Sequence, residues 1–230
     1  GRGGGTLCEC RALDAVGCDA TDSGEPLPAT WCLAPAGAPS GANVTIDDFE
    51  DGDTMTLAID GYQGTWYAAN DGTGAQIPEP AALAPVPGDA AEGAFSMSVV
   101  GTAFTDWGAL IGVMFRTGSE CTSLWDATRF GGVGFWARGQ GTVLFRVNTA
   151  DTADAEFGGR CTGELCEDAF STLIPLSDAC TYHTIRFDEV RQTGWGISAT
   201  FNPAEIVNIN WLMQETSDFS LAVDGVTFVP

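Results

Sequence analysis

The densest group of side chains that could do chemistry in this chain is an acidic run, Asp47-Asp48-Phe49-Glu50-Asp51-Gly52-Asp53. It places five carboxylates in seven residues. Ca²⁺ is bound by roughly six to eight oxygens from carboxylates and from carbonyls of irregular backbone. Like charges this close are costly unless a cation or solvent separates them. Because the spacing is not that of an EF-hand, two interpretations stay open: a structural calcium site and a solvated acidic turn.

A second group combines one tryptophan with arginine and asparagine side chains on predicted strands. Sugars have apolar C–H faces and hydroxyl rims, so flat aromatic rings flanked by hydrogen-bonding groups bind them. Strand alternation places the group opposite the predicted core: Trp136, Arg138, Arg146, Asn148, Arg186, Asn208 and Asn210. Alternation does not say whether these strands share one sheet. The group therefore predicts either a sugar-binding face or arginines paired with surface carboxylates.

No catalytic constellation stands out. His183 is the single histidine, and alternation places it on the side of Ile185 and Phe187, as expected for a partly buried histidine. No motif singles out a pair of carboxylates for glycoside hydrolysis. The glycines of 131–134 open a predicted strand rather than a helix, which argues against a phosphate loop. The sequence therefore predicts that the protein is not an enzyme.

Charge narrows the choice of partners. The formal net charge is −22, with 31 acidic residues against nine basic ones, all arginine. Such a surface repels nucleic acid and anionic lipid. The longest apolar runs are too short to cross a membrane, so we expect neither nucleic-acid binding nor membrane insertion. The first residues, 1–5, lack the apolar core of an export signal.

The eight cysteines indicate disulfides and an oxidising compartment. A Cys₂His₂ zinc site would need a second histidine, and the spacing does not support a Cys₄ site. We expect pairing within two clusters, first Cys8, Cys10, Cys18 and Cys32, and then Cys121, Cys161, Cys166 and Cys180. Residues 1–42, rich in Cys, Pro, Gly and Ala, are predicted to be a separate stapled segment or linker.

From residue 43 onward, short apolar runs alternate with turns, which is typical of an antiparallel sandwich. The predicted strands are Thr45–Phe49, Trp66–Ala69, Phe95–Gly101, Ala109–Phe115, Gly132–Ala137, Val143–Thr149, Tyr182–Asp188, Val207–Met213 and Leu221–Phe228. Asp71–Gly93 and Ala150–Cys180 are predicted to be long loops, of the kind that often carries function. A short helical turn is expected at Asn202-Pro203.

Several ordered motifs resemble the family-11-like carbohydrate-binding modules, a galactose-binding-like jelly-roll group. They are Ile46–Asp51, Gly64–Tyr67 with Asn70–Thr73, Gly132–Gly139, Gln192–Gly196, Phe201–Pro203, Ile209–Trp211 and Phe219–Phe228. The resemblance covers about residues 44–230. It implies a two-sheet jelly roll that binds β-glucan on its concave face and holds a structural Ca²⁺ at Asp48, Glu50 and Asp224. It also matches Trp136 and Arg138 to a sheet face. The chain departs from the typical tyrosine-rich cleft, since it has only three tyrosines.

The sequence thus predicts an all-β, two-sheet antiparallel β-sandwich (jelly roll) over residues 43–230, with a disulfide-stapled N-terminal segment over 1–42. The predicted function is a non-catalytic, secreted or cell-surface bacterial module that attaches a larger protein or a cell to a neutral glucan-like or galactan-like polysaccharide. The alternative is a structural surface-assembly protein, such as a filament, adhesin or surface-layer subunit. It would form homo-oligomers or filaments and use residues 1–42 as a connecting arm.

Overall fold

The computed structural model describes residues 31–33, 42–59, 63–87, 93–115, 122–214 and 218–230. In these residues the regular structure consists of β-strands and three short 3₁₀ turns. The strands are β1 (Trp31–Leu33), β2 (Val44–Asp47), β3 (Thr65–Asn70), β4 (Ala75–Ile77), β5 (Val86–Pro87), β6 (Phe95–Thr102), β7 (Ala109–Met114), β8 (Thr122–Leu124), β9 (Gly132–Gln140), β10 (Thr142–Thr149), β11 (Phe170–Pro175), β12 (Thr181–Arg186), β13 (Ile206–Met213) and β14 (Phe219–Val229).

Two antiparallel sheets make up the domain. The five-stranded sheet has the order β11-β10-β13-β7-β3. The seven-stranded sheet has the order β12-β9-β14-β6-β4, with β2 added on β14 and β5 on β6. Consecutive strands of the chain repeatedly change sheets, as β9 and β10 do, so their inward faces meet across one core. The predicted all-β sandwich is confirmed.

The core lies between the sheets and follows the predicted alternation. Phe135 of β9, Phe145 of β10 and Trp211 of β13 are each fully buried. Phe135 and Phe145 stack with ring centroids 5.4 Å apart, and Trp211 meets Phe135 edge-on at 5.1 Å. His183 lies at the margin of this core, 5.7 Å from the Phe135 ring, and burial lowers its pKa, as the sequence predicts for a partly buried histidine.

All nine predicted strands are present, and a 3₁₀ turn at Pro203–Glu205 occupies the predicted helical position. The prediction of two long loops was wrong in detail. The first contains β4 and β5, and the second contains β11. These are short edge strands, and in β11 the outward-facing Leu173 hides the alternation of apolar and polar residues.

The N-terminal segment is described only at β1, which pairs in parallel with β8, and at residue 42. Cys8, Cys10 and Cys18 lie outside the described residues, so the predicted disulfides of this segment stay predictions, as does the domain boundary. Among the described cysteines, Cys161 and Cys166 form a disulfide, and Cys180 is exposed and free. No helix in the described part of the chain is long and apolar enough to span a membrane.

Candidate functional site

A cleft of about 840 Å³ lies over the outer face of the five-stranded sheet. Its floor is built from outward-pointing residues that the strand register brings side by side. One row runs across all five strands as Tyr67, Gly112, Asn210, Arg146 and Ser171. The next row is apolar and consists of Ala69, Leu110, Leu212, Leu144 and Leu173. The floor therefore combines a polar band with an apolar band.

Gly112 provides the space in which the Tyr67 ring lies. A Cβ at this position would stand 3.0 Å from Tyr67 Cε1 and 2.7 Å from Asn210 Cβ. Tyr67 is half-buried, and its ring lies beside the Asn210 side chain. Burial, and then the charge of Glu167, raises the pKa of Tyr67 above its ordinary value. The hydroxyl thus stays protonated and keeps its capacity to donate a hydrogen bond.

Arg146 on the floor and Glu167 at the rim form a charged pair of side chains in the cleft. Arg146 Nη2 donates to the backbone carbonyl of Glu167. Glu167 Oε2 accepts from Asn148 Nδ2 at 2.8 Å, and Glu167 Oε1 accepts from the Asp154 amide at 2.8 Å. Burial lowers the pKa of Arg146, while the charge of Glu167 raises it. A guanidinium nevertheless stays charged in a protein, so Arg146 offers fixed donors to a ligand.

Asparagine side chains continue the polar band below Glu167. Asn148 also donates to Asn208 Oδ1 at 3.3 Å, and Asn210 Nδ2 donates to the same oxygen at 3.0 Å. All three asparagines are almost fully buried. Asn210 Oδ1 has no hydrogen-bond partner among the described residues, although Asn210 lines the cleft.

Exposed aromatic side chains border the cleft: Trp107, Phe157 and Trp195. Their exposed fractions are 37%, 45% and 55%, and a group of exposed aromatic side chains at one cleft is more informative than single exposed apolar residues. Trp107 lies two residues before β7, and Phe157 lies in the 3₁₀ turn that follows β10. Since these turns leave the sheet at opposite ends of its strands, aromatic rings stand at both ends of the cleft.

The segment that carries Glu167 and Asp168 is anchored by the disulfide. Cys166 directly precedes Glu167, and its bond to Cys161 closes a short loop. Glu167 has a left-handed backbone with φ of 70°, and its amide donates to the carbonyl of Thr152 at 2.8 Å. These contacts hold the two acids at the rim of the cleft.

Both carboxylates at the cleft, Glu167 and Asp168, are engaged in hydrogen bonds within the protein. Asp168 is turned toward the loop that contains Trp195 and accepts four hydrogen bonds there. Burial raises the pKa of Asp168, but the hydrogen bonds outweigh this effect and leave the pKa below its ordinary value. A general acid needs the opposite shift. Glu167 is occupied by Asn148 and by the Asp154 amide.

The structure divides the predicted ligand-binding residues between two faces. Arg146, Asn208 and Asn210 line the cleft, and Asn148 lies directly beneath its rim. Trp136, Arg138 and Arg186 belong to the seven-stranded sheet. There Trp136 meets Tyr182 edge-on at 5.2 Å, and Arg186 Nη1 donates to the terminal carbonyl of Pro230 at 2.6 Å. The seven residues therefore do not form one site.

The predicted calcium ligands are not gathered into one site. Asp48 Oδ1 accepts from the Glu50 amide at 3.3 Å, while Glu50 Oε1 accepts from the amides of Ala94 and Phe95. Asp224 is buried in β14, opposite Trp136. Across the described ranges, no three acidic, histidine or cysteine side chains are grouped so that they could hold a metal. Asp48, Glu50 and Asp224 are thus not brought together around one point, and the structural Ca²⁺ stays a prediction.

Sequence reasoning missed the residues that give the cleft its character: Tyr67, Trp107, Phe157, Glu167 and Trp195. Most of them lie in loops, where no periodicity shows which way a side chain points. One usable signal existed for Trp195, since a large aromatic between two glycines, Gly194 and Gly196, has no obvious place in a core.

The fold is similar to that of carbohydrate-binding modules. The family 11 module of the cellulosomal cellulase Lic26A-Cel5E of Clostridium thermocellum matches 83% of this chain and 96% of its own, with a TM-score of 0.54 and 15% identity. A family 11 module of the same organism, in complex with a β-1,3-1,4-mixed-linked tetrasaccharide, matches at 0.52 with 15% identity, over 84% of this chain and 97% of its own. A family 30 module matches at 0.55 with 12% identity, over 82% and 87% of the two chains.

No family model and no curated protein matches the sequence. The similarity to these solved structures confirms the fold that the sequence resemblance implies.

Proposed function

We propose that this domain is a non-catalytic module that binds a neutral polysaccharide chain in the cleft of the five-stranded sheet. One observation carries the proposal: exposed aromatic rings border a floor of buried, hydrogen-bonding side chains. Apolar sugar faces match the rings of Trp107, Phe157 and Trp195. Sugar hydroxyls match the polar groups of Tyr67, Asn210, Arg146 and Glu167.

The dimensions of the cleft suit several sugar units. A volume of about 840 Å³ lies within the usual range of roughly 300–1,000 Å³ for ligand sites. The five steps along β7 from Ala109 to Met114 span about 17 Å of the floor. We therefore expect an oligosaccharide stretch, rather than a single sugar ring, to fill the site.

The charges around the cleft favour a neutral ligand. The chain carries a net charge of −22, and the cleft is lined by one arginine and two acids. Arg146 already donates to the carbonyl of Glu167. An anionic polysaccharide would meet a repulsive field with little local compensation. We therefore expect neutral glucans or galactans to bind and uronic-acid polymers not to bind.

The fold and the disulfide support the rest of the proposal. One module of similar fold is part of a cellulosomal cellulase, and another structure holds a β-1,3-1,4-mixed-linked tetrasaccharide. The Cys161–Cys166 disulfide fits an oxidising, extracellular location. The module would hold a larger protein, or the cell surface that carries it, against its polysaccharide.

The test is a panel of soluble polysaccharides titrated against the domain by calorimetry. We expect binding to a neutral member, with mixed-linked β-glucan, linear β-glucan and galactan as probes, and no binding to polygalacturonate. Binding that is strongest for the polyanion would contradict the charge argument. Absence of binding to every neutral glycan would contradict the proposal as a whole.

A further inference from the structure

The two cleft tryptophans stand on loops that are held in the same way by two different aspartates. Asp168 Oδ2 accepts from the amides of Gly194 and Gly196, at 2.8 Å and 3.1 Å. These amides flank Trp195 on either side. Asp71 Oδ2 accepts from the amides of Asp106 and Gly108, at 3.2 Å and 2.7 Å. These amides flank Trp107.

The second oxygen of each aspartate is occupied by a threonine. Asp168 Oδ1 accepts from the amide and the hydroxyl of Thr193, at 3.1 Å and 2.7 Å. Asp71 Oδ1 accepts from the amide and the hydroxyl of Thr73, at 2.8 Å and 2.6 Å. Each carboxylate thus receives four hydrogen bonds of matching type.

The two aspartate arrangements do not share a common sequence spacing. Asp71 precedes Trp107 by 36 positions and lies in the turn after β3. Asp168 precedes Trp195 by 27 positions and lies just before β11. The threonine follows Asp71 by two positions in one case and precedes Trp195 by two positions in the other. In two loops of different sequence, an aspartate carboxylate therefore bonds to the amides on either side of a tryptophan.

Further contacts tighten both loops. Gly196 approaches the Asp168 segment so closely that a Cβ would stand 2.5 Å from Asp168 Cβ and 2.6 Å from the Leu165 carbonyl. The Ile197 amide donates to the same Leu165 carbonyl at 2.9 Å. On the other loop, the Asp71 amide donates to the Gly108 carbonyl at 2.9 Å, and Thr73 Oγ accepts from the Thr105 amide at 2.8 Å.

From this repeated arrangement we propose that Asp71 and Asp168 are positioning residues, which hold Trp107 and Trp195 in their binding orientation before the ligand arrives. The proposal rests on the proposed function of the cleft. An exposed tryptophan on a loop would otherwise lose conformational freedom on binding, and fixing it beforehand removes that cost. Hydrogen bonds to a charged acceptor are suited to this task because they are stronger than neutral ones.

The lowered pKa of each carboxyl agrees with this role. For both aspartates burial raises the pKa, and hydrogen bonds from the threonines and the loop amides outweigh it. Both side chains are therefore ionised at neutral pH and can accept four hydrogen bonds each.

The first arm of the test uses the protein without any glycan. We compare Asp71→Asn, Asp168→Asn and the matched control Asp126→Asn. Asp126 accepts the amide and hydroxyl of Thr128 in the same way, but it does not accept the loop amides next to Trp107 or Trp195, which bond to Asp71 and Asp168. Amide hydrogen exchange should accelerate by about tenfold or more at residues 194 and 196 in Asp168→Asn. It should accelerate likewise at 106 and 108 in Asp71→Asn, and at neither pair in the control. Unchanged exchange at both pairs would overturn the proposal.

The second arm measures affinity for the β-1,3-1,4-mixed-linked tetrasaccharide. Asp71→Asn and Asp168→Asn should each bind about tenfold more weakly, while Asp126→Asn should bind like the wild type. If Asp168→Asn unfolds, Thr193→Val removes one donor from the same carboxylate, and Thr193→Ser should restore affinity. Loosened loops with unchanged affinity would overturn the positioning role. A wild-type domain that binds no glycan would contradict the proposed function, and the exchange arm would still decide whether the aspartates hold the tryptophans.

Discussion

Asp47 shows how differently neighbouring acids of one short run can behave. Its side chain is fully buried and accepts from the Phe49 amide at 2.8 Å and from Trp66 Nε1 at 2.7 Å. Asp51 and Asp53 instead accept amides in exposed turns. The run is therefore a hydrogen-bonded turn with one acid buried at its start.

Burial of Asp47 predicts a distinctive pH dependence of stability. Burial raises the pKa of Asp47 to about 7, against the two hydrogen bonds that lower it. An unfolded aspartic acid ionises near pH 3.9. Between these pH values the folded chain retains a proton that the unfolded chain releases. The contribution of Asp47 to stability therefore falls as pH rises from about 4 to about 7, by up to about 4 kcal/mol, and is constant above that.

Urea unfolding of the wild type and of Asp47→Asn across this pH range isolates the effect. The difference in free energy of unfolding between the two proteins should shift in favour of the variant as pH rises. A difference that is independent of pH would show that Asp47 is ionised throughout the range.

At the scale of elements, the strands supply the floor of the cleft and the loops supply its aromatic rim. The floor of the cleft consists of strand residues whose alternation is visible in the sequence, such as Arg146 and Asn210. The rim consists of loop residues such as Trp195, whose position depends on hydrogen bonds to Asp168 from a different segment. Hence the orientation of β10 and β13 was predictable, whereas the aromatic rim was not.

The disulfide loop links this rim to the rest of the domain. Replacing Cys161 and Cys166 by serine should lower the free energy of unfolding by about 2 kcal/mol, as expected for so short a closed loop. It should also weaken glycan binding, because Glu167 and Asp168 follow directly after the bond. Chemical denaturation and calorimetry of the double variant test both effects. Unchanged affinity would show that the backbone contacts of Glu167 alone fix the rim.

For the whole molecule, the pairing of strands into sheets determines which side chains lie on the same face. The sequence places Trp136 and Arg146 equally well outside the core, since both lie opposite inward-facing neighbours. Only long-range pairing separates them, with β9 in the seven-stranded sheet and β10 in the five-stranded sheet. The fold class follows from local alternation, but the composition of the site does not. The roles of residues 1–42 as stapled segment or connecting arm stay predictions.

Glycan binding at the cleft of the five-stranded sheet and at Trp136 on the seven-stranded sheet can be distinguished by calorimetry with one neutral glycan. The experiment titrates mixed-linked β-glucan into the wild type, into Trp107→Ala/Trp195→Ala and into Trp136→Ala. Aromatic anchors of a binding site each contribute about 2 kcal/mol or more. Each tryptophan removed should therefore cost about thirtyfold or more in affinity, so the double cleft variant should lose more than thirtyfold, while Trp136→Ala binds like the wild type. Loss of binding in Trp136→Ala with full binding in the cleft variant would contradict the account.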